Sequence, residues 1–486
     1  MGSAGEEQEK KTEGQLLSEK LFSSRKNSWD SFTAGDEEAL GRFAEDYKQF
    51  LDRGKTEREF TAASLGLLRK AGFADIEARL EGDGNFRPGD RLYQVNRGKS
   101  LICAVIGKEP VSSGVNILGA HVDSPRIDLK SNPLYEESEL AFLDTQYYGG
   151  IKNYQWAAIP LAVHGVVIRE DGGKVEITIG EDEGDPVFTI TDLLPHLARE
   201  QMQKKASEAV AGEDLDILAG SRPYKDGKAK DKVKLNLLAI LNRKYGIVEQ
   251  DFCGAEFEFV PAFKARDLGF DRSMIGGYGH DDRCCAYPAI RAVLDIAAGE
   301  APARTVMAVL TDKEEIGSAG NTGAQSRFFE NFIAYILSKP GGQYSDLVLR
   351  RTLGNSSMLS ADVNSAFDPT YDSFYDKKNA SAFGRGIVLT KYTGGSGKGG
   401  CSEANAEFCC RVQALLNRNK VPWQTGDLGK VDKGGGGTIA KYVANLGVEV
   451  LDCGIAVLSM HSPFEVISKA DLYTTYRGYT AFLREI

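Results

Sequence analysis

Several times in this chain a short apolar run stops at a histidine or an acid. Val115-Asn116-Ile117-Leu118-Gly119-Ala120 ends at His121, and Thr305-Val306-Met307-Ala308-Val309-Leu310 runs into Thr311-Asp312-Lys313-Glu314-Glu315. Ser357-Met358-Leu359-Ser360-Ala361 ends at Asp362, and Gly454-Ile455-Ala456-Val457-Leu458-Ser459-Met460 ends at His461. Near-continuous apolar runs of this length suit strands buried on both faces. Helical segments lie among them, over Asp282 to Ala298, over 402–418, and from a Ser468 cap onward, where Leu472, Tyr476, Tyr479 and Leu483 share a stripe. Strands alternating with helices predict an α/β fold, a sheet covered by helices. Ligands of such sheets gather at the carboxyl ends of parallel strands, where these polar residues fall.

The pattern lapses between about residues 129 and 252. Val175-Glu176-Ile177-Thr178-Ile179 alternates as a half-exposed strand does, after a turn at Asp171-Gly172-Gly173. Residues 206–234 are charged and poor in aromatics, and the run Lys225 to Lys234 within them reads as a solvated loop, with a basic binding patch as the alternative. The block reads as a β-rich insertion, dividing the chain into 1–128, 129–252 and 253–486. Residues 1–30 read as a polar arm leading into a helix. Residues 30–72 carry helical spacing through Phe32, Ala39, Leu40, Phe43, Tyr47 and Phe50.

Composition narrows the function classes. The 486 residues carry 59 Lys and Arg against 69 Asp and Glu, a net charge of −10, which disfavours nucleic acid as a partner. No stretch reaches the ~18 apolar residues of a membrane span. The start, Met1-Gly2-Ser3-Ala4-Gly5-Glu6-Glu7, lacks the basic and apolar regions of a secretory signal, so the expected location is cytoplasmic. The 8 cysteines include two adjacent pairs, Cys284-Cys285 and Cys409-Cys410, and no C-x-x-C; they read as buried thiols rather than disulfides or zinc ligands.

With only 5 histidines, each can be weighed. His121 and Asp123 project to one side of an extended strand, so the carboxylate can orient the imidazole. Asp281 and Asp282, in Gly279-His280-Asp281-Asp282-Arg283, open a helix; they are either capping carboxylates or a bridge between two cations. Of Glu314 and Glu315, one can hold a metal while the other stays free as a base. Asp362 and His461 end their own apolar runs. Singly each has a plain structural reading. Jointly His, Asp, Glu, Asp and His offer nitrogen and oxygen donors suited to a pair of divalent cations such as Zn²⁺, Mn²⁺ or Co²⁺.

These segments resemble the M18 metallo-aminopeptidases, the group containing aspartyl aminopeptidase and vacuolar aminopeptidase I. The carriers are Gly119–Arg126, Gly279–Arg283, Asp312–Gly317, Ser360–Asn364 and Met460–Glu465, in family order. The resemblance implies a di-metal exopeptidase fold, a helix-flanked mixed β-sheet interrupted by a β-rich oligomerisation domain, assembled as a dodecamer built from dimers. It implies that His121, Asp281 and Asp362 hold one metal and that Asp281, Glu315 and His461 hold the other, zinc first among the candidates. The choice of Asp281 over Asp282 rests on the match alone. It further implies that Asp123 supports His121. Glu314 would be the general base that takes a proton from the bridging water and passes it to the leaving amine. Substrates would be peptides with a free N-terminus, their α-amine bound near the second metal. His196 resembles a histidine that family members send into a neighbouring subunit's active site to bind substrate; the alternative is a helix histidine packed locally. His280 reads as a hydrogen-bonding residue and His164 as structural.

Three rivals remain. Gly395-Ser396-Gly397-Lys398-Gly399-Gly400 is a G-x-G-x-x-G between a strand and a helix, the setting of a dinucleotide site, although a mobile active-site loop fits as well. A two-metal deacylase or carboxypeptidase would share the scaffold, and an inert assembly protein would keep only the shell. Substrate preference stays open: Lys391 or a neighbouring basic residue could pair with an acidic side chain, or simply be solvated.

Overall fold

The computed structural model describes residues 11–23, 26–82, 84–338 and 344–486; the N-terminal heptapeptide and part of the polar arm lie outside them. Nine strands form the central sheet in the order Ala74–Asp75, Arg91–Asn96, Ser100–Val105, Thr305–Thr311, Val115–His121, Ser357–Ser360, Glu449–Gly454, Ile387–Thr390, Trp423–Thr425. The four strands from Thr305–Thr311 to Glu449–Gly454 are mutually parallel, and the strands flanking this group on each side are antiparallel to it, so the sheet is mixed. Alternate residues of one strand feed opposite cores. Leu118 and Ala120 pack with Ile290, Val293 and Phe482, whereas Val115 and Ile117 pack with Phe332, Ile333 and Ile336 on the other face. That two-sided burial is why these strands read as unbroken apolar runs.

The helical spacing over 30–72 resolves into two helices, Ala34–Arg53 and Glu57–Lys70. Each opens with a capping box, Thr33 with Asp36 and Thr56 with Glu59, and the second box breaks the run at Gly54. The C-terminal helix Lys469–Glu485 starts at the Ser468 cap, whose side chain accepts from Asp471 N.

A second sheet of seven strands, antiparallel throughout, has the order Lys174–Ile179, Leu161–Ile168, Glu256–Pro261, Arg126–Glu137, Leu140–Tyr148, Ile217–Gly220, Thr189–Ile190. Its strand Arg126–Glu137 starts within residues 1–128, and its strand Glu256–Pro261 lies within 253–486. It has its own core, with Trp156 fully buried among Ile127, Leu161, Ile217 and Phe259. The run Lys225 to Lys234 is a loop only in part, because the helix Lys232–Tyr245 starts inside it; ahead of it lies the strand Ile217–Gly220. A four-residue strand is too short to show a period, and only its buried Ile217 anchors it. A third sheet, ordered Arg266–Leu268, Met274–Gly277, Glu465–Ser468, Ala456–Leu458, Asn364–Ser365, carries the chain past His461. Among the described residues no helix is long and apolar enough to cross a membrane.

Candidate active site

Three adjacent parallel strands deliver their polar ends to one place. His121 is the last residue of Val115–His121; Asp312 to Glu315 follow Thr305–Thr311; Asp362 follows Ser357–Ser360. Asp281 stands at the start of helix His280–Ala298, and His461 follows Ala456–Leu458. His121 Nε2 lies 3.2 Å from Asp281 Oδ1, and His461 Nε2 lies 3.2 Å from Asp281 Oδ2 and 3.5 Å from Glu315 Oε2. One carboxylate thus faces two imidazoles, each held from behind. His121 Nδ1 meets Asp123 O at 3.0 Å, and His461 Nδ1 meets Gly150 O at 2.8 Å. Asp282 faces neither His461 nor Glu315 at such a distance; its Oδ2 accepts from His121 N at 3.3 Å.

The backbone around these side chains is held by two buried carboxylates. Asp123 accepts from Glu314 N through Oδ1 and from Glu315 N through Oδ2, each at 3.1 Å. Glu465 accepts from His461 N at 2.7 Å and from Asp281 N at 3.0 Å. Asp362 is seated by a glycine: a Cβ on Gly454 would lie 1.9 Å from Asp362 O, so the strand ends approach closely only because position 454 lacks a side chain. Arg283, fully buried, donates from Nε to Val122 O at 3.2 Å and through a second guanidinium nitrogen to Lys55 O at 2.7 Å, which braces the chain after His121.

Electrostatics mark the cluster as one that wants cations. Burial, opposed by His121 and His461 and reinforced by Asp123 and Asp281, pushes Glu314 up to about 7. Burial together with Asp281 drives Glu315 well above the carboxylate range, and burial together with Asp282 does the same for Asp362. Glu465 rises to about 8 through burial and the nearby Asp281. His461 moves the other way: burial is outweighed by Asp281 and Glu315, which hold it near 11. Among the described residues, Glu315 Oε1 and Asp282 Oδ1 are buried with no hydrogen-bond partner. Donor atoms of His121, Asp281 and Glu315 lie within 4.8 Å of one another, as do those of His121, Asp282 and Asp362. Nitrogen and oxygen donors, buried and partly unpartnered, fit Zn²⁺ and similar divalent cations. A further group, Asp282, Cys284 and Cys285, is wholly interior.

Asp281, Glu314, Glu315, Asp362 and His461 line a cavity of about 420 Å³, with His121 directly behind Asp281. Another part of its wall is made by Gly435, Gly436, Gly437, Thr438, Lys441 and Tyr442, none singled out by the sequence reading. The signal available was the Gly434–Gly437 run, which lets backbone line a cavity closely. Lys391 is not part of this wall; it is half exposed and 3.3 Å from Glu403. Gly395 to Gly400 form no dinucleotide turn. Gly395 and Gly399 bond to each other across a small hairpin, and the next helix starts only at Ala406. Gly394 N donates instead to Gly436 O, so this loop backs the glycine wall. His280 accepts or donates at Tyr47 Oη (2.7 Å), and His164 is held between Glu59 (2.7 Å) and Glu181 (3.1 Å), structural roles for both. His196 lies on no helix. It lies exposed in the turn 195–200, which follows the strand Thr189–Ile190, and it is not among the residues lining the cavity.

Comparisons with known proteins agree with this architecture. The family described as aminopeptidase I zinc metalloprotease (M18) matches residues 50–483. A probable M18 family aminopeptidase 1 of Clostridium acetobutylicum is 51% identical over 463 residues, 95% of this chain and 99% of that protein. The crystal structure of an M18 family aminopeptidase from Thermotoga maritima superposes with TM-score 0.91 at 45% identity, covering 96% of this chain and 100% of that one. The S. cerevisiae mApe1 dodecamer structure shares the fold, with TM-score 0.73 at 22% identity over 91% of this chain and 96% of that one. This chain belongs to the aminopeptidase I zinc metalloprotease (M18) family.

Proposed function

We propose that the chain is a metal-dependent aminopeptidase that removes N-terminal residues from peptides, with Glu314 as general base. The observation that carries the reading is the placement of Glu314. It lines the cavity beside the His121, Asp281, Glu315 and His461 cluster, its backbone is pinned by Asp123, and it is pushed up to about 7. A carboxylate beside the metal-ligand cluster but outside the proposed ligand set can both take and return a proton. His121, Asp281 and Asp362 would hold one cation, and Asp281, Glu315 and His461 the other, zinc foremost, with Mn²⁺ or Co²⁺ as substitutes. The contacts of Asp281 with both imidazoles support it, rather than Asp282, as the shared ligand. When bound, the cations supply Lewis acidity that acidifies water and offsets charge on the carbonyl oxygen. Glu314 accepts the proton of the attacking water on its carboxylate and delivers it to the nitrogen of the leaving peptide. Asp123 keeps His121 and the Glu314–Glu315 turn in place. The acidic wall around Glu315 favours a substrate's charged α-amine, which makes the enzyme an exopeptidase.

The same reading takes 1–128 and 253–486 as the two parts of the catalytic domain and 129–252 as the inserted oligomerisation domain. His196 would reach the active site of a neighbouring copy, in a dodecamer built from dimers. The exposed Leu193, Leu194, Leu197 and Met202 around it support contact with another subunit. The fold shared with the yeast mApe1 dodecamer supports the assembly.

The test is hydrolysis of a peptide panel with N-terminal Asp, Glu, Leu, Met and Lys, each free and N-acetylated, by protein loaded with Zn²⁺, Mn²⁺ or Co²⁺. Free-amine peptides should be cleaved, with Glu314→Gln lowering kcat by about 10²–10⁴-fold. Cleavage of acetylated substrates would assign a deacylase. No turnover with metal bound would leave an inert assembly protein.

A further inference from the structure

The carboxylate that holds the Glu314–Glu315 turn is itself held from the other sheet. Asp123 is fully buried, and its donors within the catalytic sheet are Glu314 N and Glu315 N, with His121 Nδ1 3.4 Å from Oδ1. Its remaining donor is the hydroxyl of Tyr148, 2.9 Å from Oδ2. Tyr148 is the last residue of Leu140–Tyr148, a strand of the inserted seven-stranded sheet.

Tyr148 is firmly seated. Arg126 is its direct cross-strand partner, and the Arg126 guanidinium stands 3.9 Å from the centre of the Tyr148 ring. Arg126 is buried in turn and held by Asp128 at 2.8 Å, Glu258 at 3.2 Å and Glu57 at 3.5 Å. Asp128 and Glu258 belong to the inserted sheet, while Glu57 opens the helix Glu57–Lys70 of the catalytic part. A cation on an aromatic face and three carboxylates on that cation leave the hydroxyl little freedom in where it points. It points at Asp123.

We propose that Tyr148 is a positioning residue, which fixes the Asp123 carboxylate and thereby aims His121 and the Glu314–Glu315 turn. The inserted sheet then supports the active site as well as carrying assembly contacts. Outer-sphere partners of this kind typically govern metal affinity and activity by 10–100-fold. This inference rests on the metal-dependent reading above, so its test separates the two.

Tyr148→Phe removes one oxygen and leaves the ring under Arg126. Zinc affinity of the dialysed full-length protein is read by competition with a chromophoric chelator, alongside apo-protein Tm and steady-state kinetics at saturating zinc. Zinc affinity should fall about 10–100-fold, with kcat lowered more than KM is raised and apo Tm unchanged. Tyr147→Phe, whose neighbouring ring is 41% exposed, is the control and should match the parent in all three. Zinc affinity and kcat of Tyr148→Phe within twofold of the parent would overturn the proposal. So would losses that track a fall in apo Tm, because those belong to general loosening. Should the parent cleave no peptide at all, the aminopeptidase reading fails while the zinc titration still decides the role of Tyr148.

Discussion

Lys55→Met probes the joint between the two large sheets. Lys55 sits in the corner between helices Ala34–Arg53 and Glu57–Lys70 with 2% of its side chain exposed. Its ammonium donates to Glu181 at 2.6 Å, to Pro261 O at 2.8 Å and to Phe263 O at 3.1 Å. All three acceptors belong to the inserted sheet or its edge. Burial lowers the pKa of Lys55 and Glu181 partly restores it, so the cation is held there at the expense of its hydration. Methionine keeps the aliphatic volume and removes the charge and all three donors. Deleting one partner of a buried pair costs about 3–5 kcal/mol. Glu181 retains His164 at 3.1 Å and Lys264 at 2.8 Å, which places the expected loss at the lower end, about 3 kcal/mol. The assay is urea unfolding followed by tryptophan fluorescence, with Trp156 in the inserted core as reporter, for Lys55→Met, Glu181→Gln and the double variant. The two single losses should exceed the double loss, since the second substitution finds its partner already gone. A Lys55→Met loss under about 1 kcal/mol, below the range for a broken buried pair, or strict additivity, would refute the argument.

Two further outcomes follow from the same geometry. Glu465→Gln exchanges one of two backbone-accepting oxygens for a donor that faces Asp281 N or His461 N; zinc affinity, read by chelator competition, should fall about 10–100-fold. On acidification the joint should loosen late. Glu181 is lowered to about 2: burial opposes the shift, but His164, Lys55 and Lys264 outweigh it. A depressed carboxylate contributes stability that is present above its unfolded pKa, near 4.3, and lost as pH falls through about 2. A pH series of urea midpoints should therefore show the Lys55→Met variant losing less than the parent between about pH 4 and 2.

Much of the candidate site can be read from the chain because strand ends are local events. A two-sided buried strand needs an unbroken apolar run, and its first polar residue is where the chain leaves the sheet. His121, Glu314, Glu315, Asp362 and His461 all stand at such exits or a few residues beyond, and the structure brings their ends together. Asp281 is legible only as part of a helix start. What separates it from Asp282 is the pair of imidazoles it faces, one 160 positions before it and one 180 after. Short strands such as Ile217–Gly220 escape pattern reading because four residues show no period. For His196, the alternative of a helix histidine packed locally fails, because its segment forms an exposed turn.

The amino-acid sequence by itself determined the alternation of apolar strands and helices, the place where the pattern breaks, and the donor types exposed at strand ends. Periodicity and chain exit are written in consecutive residues. The tertiary structure alone decided which carboxylate faces both histidines, that Glu465 ties Asp281 N to His461 N, and that Tyr148 reaches Asp123 from another sheet. It also decided that Lys441 and a glycine run, not Lys391, line the cavity. Those are distances between groups far apart in sequence, set by how two sheets pack against each other, and no local spacing encodes them.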